Sequence, residues 1–69
     1  MRPSFYRIEV LLSNGDCKNT YAFKYGDAKR YIADTGHMQE IGAASAKLYD
    51  VYKINGVNYQ IVREIIHFQ

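Results

Sequence analysis

The sequence predicts an α+β fold: a four-stranded antiparallel sheet built of two β-hairpins, with one short helix packed on one face, in the order ββαββ. Asn14-Gly15 and Asn55-Gly56 each sit between alternating apolar runs. An Asn-Gly step accepts the positive φ that a two-residue type I′ hairpin turn requires. Between the hairpins, Ala28, Tyr31, Ile32 and Thr35 recur at i, i+3, i+4 and i+7, one stripe of a helix.

Residues 4–12 alternate, with Tyr6, Ile8, Val10 and Leu12 on one side and Phe5, Arg7, Glu9 and Leu11 on the other. A two-residue loop at Asn14-Gly15 pairs Leu12 with Cys17, Ile8 with Tyr21 and Tyr6 with Phe23. On the other side it pairs Glu9 with Thr20 and Arg7 with Ala22. A one-residue slip would exchange the faces, so the pattern favours this register.

The helix is expected over residues 28–35, with Asp27 as its N-cap and Gly36 as its stop. Lys29 and Arg30 then fall in the first turn, where the helix dipole disfavours cations. They are either indifferent surface positions or kept for a contact. Residues 37–45 read as a loop with one extra helical turn, anchored by Met38 and Ile41.

Residues 46–54 and 57–68 form the second hairpin. Its turn pairs Ile54 with Val57, Tyr52 with Tyr59, Asp50 with Ile61 and Leu48 with Arg63. The opposite side pairs Val51 with Gln60, Tyr49 with Val62 and Lys47 with Glu64. Asp50 and Arg63 interrupt the apolar set as diagonal neighbours of opposite charge. Either they pair at the sheet margin or a bulge swaps the faces there. Ile61, Val62, Ile65 and Ile66 also fit a helical stripe, but four β-branched residues favour strand.

At 69 residues the chain reads as one domain, residues 1–69, with a core too small to enclose a sizeable cofactor. A face that binds a macromolecule suits this size better than a cleft. No apolar run approaches the roughly 18 residues of a membrane span, and the start lacks a signal peptide's apolar segment. One cysteine, Cys17, forms no internal disulfide, so a cytoplasmic setting is the default.

No arrangement of Cys17, His37 and His67 has metal-ligand spacing, and nothing joins them as a nucleophile and base. The glycines form no phosphate cradle, and Cys17 reads as a small apolar residue opposite Leu12. The expectation is a non-catalytic protein with no metal and no cofactor.

Binding is the remaining class. Nine Lys/Arg against seven Asp/Glu give a net charge of +2, and there are seven Tyr and no Trp. Tyrosine joins an apolar ring to a polar tip and suits surfaces that are wet alone and dry in a complex. Arg7, Lys18, Lys24, Lys29, Arg30, Tyr49 and Tyr59 form the candidate partner-binding set, with Phe5, Tyr49 and Tyr59 as stacking platforms where exposed. A protein or nucleoprotein complex is the first expectation for a partner, and nucleic acid is the alternative. The apolar tail, residues 65–68, either packs in the core or covers a partner or a second copy in a homodimer. Reversing the charges of Lys29 and Arg30 is expected to weaken partner binding and leave the fold intact.

In size and hairpin–helix–hairpin order the chain resembles small phage-encoded inhibitors of host defence, of which anti-CRISPR proteins are the best-known group. Asp27-Ala28-Lys29-Arg30-Tyr31, then Lys47-Leu48-Tyr49-Asp50 and an Asn-Gly turn, carry that resemblance as a pattern over the whole chain and not as a motif. It implies steric blocking of a nucleoprotein machine and assigns no functional residue. The positive net charge argues against acidic mimicry of DNA.

Overall fold

The two Asn-Gly steps form different turns, and that difference decides which side chains share a face. The computed structural model describes residues 2–68. Its elements are β1 (Phe5–Leu12), β2 (Cys17–Ala22), α1 (Tyr25–Ala33), α2 (Thr35–Ile41), β3 (Ala43–Ile54) and β4 (Val57–His67). The strands form one antiparallel sheet in the order β2-β1-β3-β4. The α+β class and the four-stranded sheet are as the sequence predicts; two helices stand in place of one.

At the second turn Asn55 (φ 52°) and Gly56 (φ 80°) are both left-handed, and Ile54 pairs directly with Val57. At the first, Gly15 alone has positive φ, 95°. Its N–H donates to the Leu12 carbonyl at 3.0 Å, and the Leu12 N–H donates to the Asp16 carbonyl at 2.8 Å. The Asp16 N–H donates to Asn14 Oδ1 at 2.9 Å. This is a three-residue loop, a type I turn closed by a glycine bulge.

The extra loop residue moves the register by one. Leu11 faces Cys17, Arg7 faces Tyr21, Ile8 faces Thr20 and Tyr6 faces Ala22. The expected pairs of Leu12 with Cys17, Ile8 with Tyr21 and Glu9 with Thr20 are not formed. The slip puts the smaller Thr20 and Ala22 beside Ile8 and Tyr6 on the helix side, where α1 docks through Ala28 and Ile32. It sends Cys17, Asn19 and Tyr21 to the opposite face, because side chains alternate along a strand. Cys17 is exposed, not an apolar partner of Leu12.

The helices also depart from expectation. α1 starts at Tyr25, so Asp27 lies in its first turn rather than at the cap, and Lys24 holds the N-cap position without a side-chain bond. Arg30 therefore falls in the last turn, where the dipole favours a cation, and Asp27 sits where it favours an anion. Asp34 is the side-chain cap: its Oδ1 accepts from the His37 N–H at 3.1 Å, opening α2. Gly36 lies inside α2, and the left-handed residue that ends it is Gly42 (φ 74°). Residues 37–45 are thus mostly helix and strand rather than loop.

Ile8, Val10, Ala28, Ile32, Met38, Ala43, Ala46 and Leu48 form the core between sheet and helices, with Tyr6, Tyr31, Ile66 and Phe68 packed at its rim. Each large aliphatic side chain so buried contributes about 1.5–3 kcal/mol.

The second hairpin keeps the expected pairs from Ile54–Val57 through Tyr49–Val62. A bulge then places Leu48 opposite Glu64 and Lys47 opposite Ile65, leaving Arg63 as the extra residue. Both sequence alternatives hold at once, because Arg63 also pairs with Asp50. The bulge keeps Glu64 and Ile66 facing the helices. Residues 61–66 are strand. The helices stop short of the far end of this hairpin, where Ile54, Val57, Tyr59 and Ile61 stay exposed.

Candidate binding surface

No helix covers the opposite sheet face, on which strand alternation places Phe5, Arg7 and Glu9 of β1, Asn19 and Tyr21 of β2, Lys47 and Tyr49 of β3, and Gln60 and Val62 of β4, with Val51 of β3 buried among them. Arg7 is its centre. Its Nε donates to Gln60 Oε1 at 2.7 Å. Its Nη1 donates to Asn19 Oδ1 at 2.7 Å and to Glu9 Oε2 at 3.3 Å. Its guanidinium lies 4.2 Å from the Tyr49 ring centroid, within the range of a cation–π contact. One side chain on β1 thus touches a residue of every strand.

Beside it the surface turns apolar. The Phe5 and Tyr21 rings meet edge to face at 6.0 Å. With Ala22 and Phe23 they line a shallow depression of about 270 Å³. Phe23 is 84% exposed and Tyr21 62%, so both rings lie open to a partner. Cys17, near the turn, lies on the same side by strand alternation.

The predicted binding set is split between the two faces. Arg7 and Tyr49 meet on the open one. Lys18 and Tyr59 project on the helix side by alternation, and Lys24, Lys29 and Arg30 stand at or in α1. Of the expected stacking platforms, Phe5 and Tyr49 are half-buried on the open face, and the exposed Tyr59 is on the other side.

Besides Arg7, two more of the predicted cations are engaged within the fold. Arg30 pairs with Asp27 one turn away at 3.6 Å. Lys29 Nζ donates to Glu64 Oε2 at 2.6 Å, tying α1 to β4, and the Tyr25 hydroxyl donates to Glu64 Oε1 at 3.0 Å. The Lys29 and Tyr25 hydrogen bonds hold the Glu64 carboxyl below its usual 4.5. The same bond raises Lys29 above 10.5. A charge reversal at Lys29 would face Glu64 with a second carboxylate, so it changes the α1–β4 contact as well as the surface charge.

Sequence reasoning missed Tyr21, Phe23 and Asn19 as members of the open face, while Gln60 shares the side of Tyr49 and Val51 as expected. The available signal was Ser13-Asn14-Gly15-Asp16, in which a polar residue before the glycine can cap a type I turn through its side chain.

A second cavity of about 270 Å³ is lined by Thr35, Met38, Gln39, Ala43 and Phe68, a set with one hydroxyl, one carboxamide and no acid or base. Among the described residues no three His, Cys, Asp or Glu side chains gather as a metal site would need, and no helix is long and apolar enough to cross a membrane. Comparison with protein-family models, with curated proteins and with solved structures finds no match.

Proposed function

We propose that this chain is a non-catalytic binding protein whose open sheet face docks on a host protein or nucleoprotein complex and blocks it sterically, in the manner of small phage-encoded inhibitors acting in the cytoplasm. The observation that carries this reading is the Arg7-centred surface with its border of half-buried Phe5 and exposed Tyr21 and Phe23. Aromatic rings and arginine are the residue types that dominate interface energetics. Arg7 is held by three hydrogen bonds and a ring, so little side-chain freedom is left to lose on docking. The exposed lone thiol of Cys17 suits a reducing compartment.

Nucleic acid is the second reading, favoured by aromatic rings sharing a face with Lys47 and Lys53. It is the weaker one. Arg7 commits its Nε and Nη1 donors within the fold, and Lys18, Lys24, Lys29 and Arg30 lie on the other side, so neither face carries a long stripe of one sign. Two measurements separate the readings. Immobilised protein should recover a stoichiometric partner from host lysate, and recovery of none would count against docking. Binding to generic DNA and RNA should be absent at low salt. Affinity falling by about one log unit per log unit of salt for each phosphate contact would favour nucleic acid.

A further inference from the structure

The two edges of the sheet are built differently. The β2 edge is six residues long and carries Lys18, the kind of charge that blunts an edge against pairing. The β4 edge is eleven residues long, and its first six, Val57-Asn58-Tyr59-Gln60-Ile61-Val62, hold no charge, no proline and no glycine. Val57, Tyr59, Ile61 and Val62 are 52%, 52%, 59% and 45% exposed. A neutral, β-prone run on an open edge is a template for another strand.

The order of side chains indicates which strand. The β3–β4 turn closes on the Ile54–Val57 pair. By antiparallel alternation Val57, Tyr59 and Ile61 then direct their backbone groups to β3, while Asn58 and Gln60 direct theirs outward. Place a second β4 antiparallel to the first, with the two-fold axis through Tyr59 and perpendicular to the sheet. Val57 then stands opposite the other copy's Ile61, and Tyr59 opposite the other Tyr59. Asn58 and Gln60, the outward-bonding residues, stand opposite each other twice. Apolar meets apolar, carboxamide meets carboxamide, and no charge meets a like charge. The Asn55-Gly56 turn bounds the paired segment at one end and the Arg63 bulge at the other, and bulges end pairing. We propose that this chain forms a closed homodimer by antiparallel pairing of β4 with β4 across residues 57–61, making one continuous eight-stranded sheet. The axis keeps both open faces on the same side, so the dimer presents two copies of the Arg7 surface in one direction. The dimer does not depend on that surface having a partner.

Sedimentation equilibrium on the full chain, over a range of loading concentrations, tests it. The expected result is a mass that rises to twice the 8.0 kDa of the chain and stays there. A mass that remains at one chain, or climbs past two without a plateau, overturns the proposal. Two double variants test the register. N58K with Q60K places lysine opposite lysine at both carboxamide pairs and should halve the mass. N58K with Q60E places lysine opposite glutamate and should keep the dimer. Both positions are exposed, and unchanged circular dichroism shows that each variant folds. Because Gln60 also accepts from Arg7 Nε, Q60A, which ends that bond without adding charge, is the control and should keep the dimer. If folded variants of the two kinds associate alike, this register is wrong.

Discussion

Arg63 Nε donates to Asp50 Oδ1 at 2.7 Å from a bulged position that has no partner of its own across β3. Asp50 is the one buried charged residue among those described, 7% exposed, and its carboxylate faces the helix side of the sheet. The bulge lets a charged residue interrupt an apolar strand without stranding its partner. The hydrogen bond to Asp50 raises Arg63 further above the already high range of a guanidinium, and the Tyr25 ring covers it at 4.9 Å. A buried carboxylate depends on such pairing.

Removing the acid should therefore cost more than neutralising it. Asp50→Ala is expected to lower Tm by several degrees, while Asp50→Asn, which keeps an oxygen toward Arg63, should lose less. Thermal unfolding by circular dichroism reads both. Equal losses would mean that the neutral oxygen keeps nothing of the contact and that the carboxylate charge alone carries it.

The Lys29–Glu64 bond predicts an acid limb in stability. The Glu64 pKa is depressed in the folded state, so its contribution is fully present above the unfolded value near 4.5. It fades as pH falls through the lower folded value. Lys29 works the other way: raised above 10.5, its contribution is lost as pH climbs through that raised value. Urea midpoints measured from pH 7 down to pH 3 should fall less steeply for Glu64→Gln than for the natural chain. Parallel curves would contradict the assignment.

Two glycines separate the observed helix boundaries from the expected ones. Gly42 has φ 74°, and a Cβ there would sit 3.4 Å from Ser13 Oγ, so Gly42→Ala should destabilise by about 1 kcal/mol or more. At Gly36, inside α2, a Cβ makes ordinary contact at 3.7 Å with Asp34 Oδ1. Gly36→Ala should stabilise by up to about 1 kcal/mol through helix propensity. If the signs were reversed, Gly36 and not Gly42 would be the helix stop. Asp34→Ala should cost about 1 kcal/mol as a lost cap, and Asp27→Ala less.

Leu48 is fully buried where β1, β3 and the helices meet. Leu48→Ala should cost about 2–5 kcal/mol. In a domain of this size that is most of the stability a single core supplies, about 3–5 kcal/mol. Urea unfolding should show the variant largely unfolded before denaturant is added. A midpoint close to that of the natural chain would mean that the core lies elsewhere.

The second hairpin was legible in the sequence because Asn55-Gly56 admits two adjacent left-handed residues and the apolar pattern around it agrees. The first hairpin was misread by one residue from the same dipeptide. Asn14 keeps negative φ and spends its side chain on the Asp16 N–H instead, a choice that local propensity leaves open. Helix packing decides it, because α1 needs Thr20 and Ala22 rather than Tyr21 and Phe23 beneath it. That requirement is tertiary and invisible in a strand read alone. The same error hides the aromatic border of the open face, since the two-residue turn sets Tyr21 and Phe23 on the side of Ile8 and Tyr6. Arg7 and Tyr49 were found separately, but their stacking follows only from the β1–β3 register, which no turn signal specifies.

The direct test of the open face compares folded variants of its two sides against whatever partner the natural chain recovers from lysate. Tyr21→Ser with Phe23→Ser changes only exposed rings on the open side, and Lys24→Glu changes the helix side. Titration by isothermal calorimetry should show the double variant weakened at least tenfold and Lys24→Glu close to the natural chain. Affinity that survives loss of both rings, and is lost with Lys24→Glu, would place the working surface on the helix side and contradict the account.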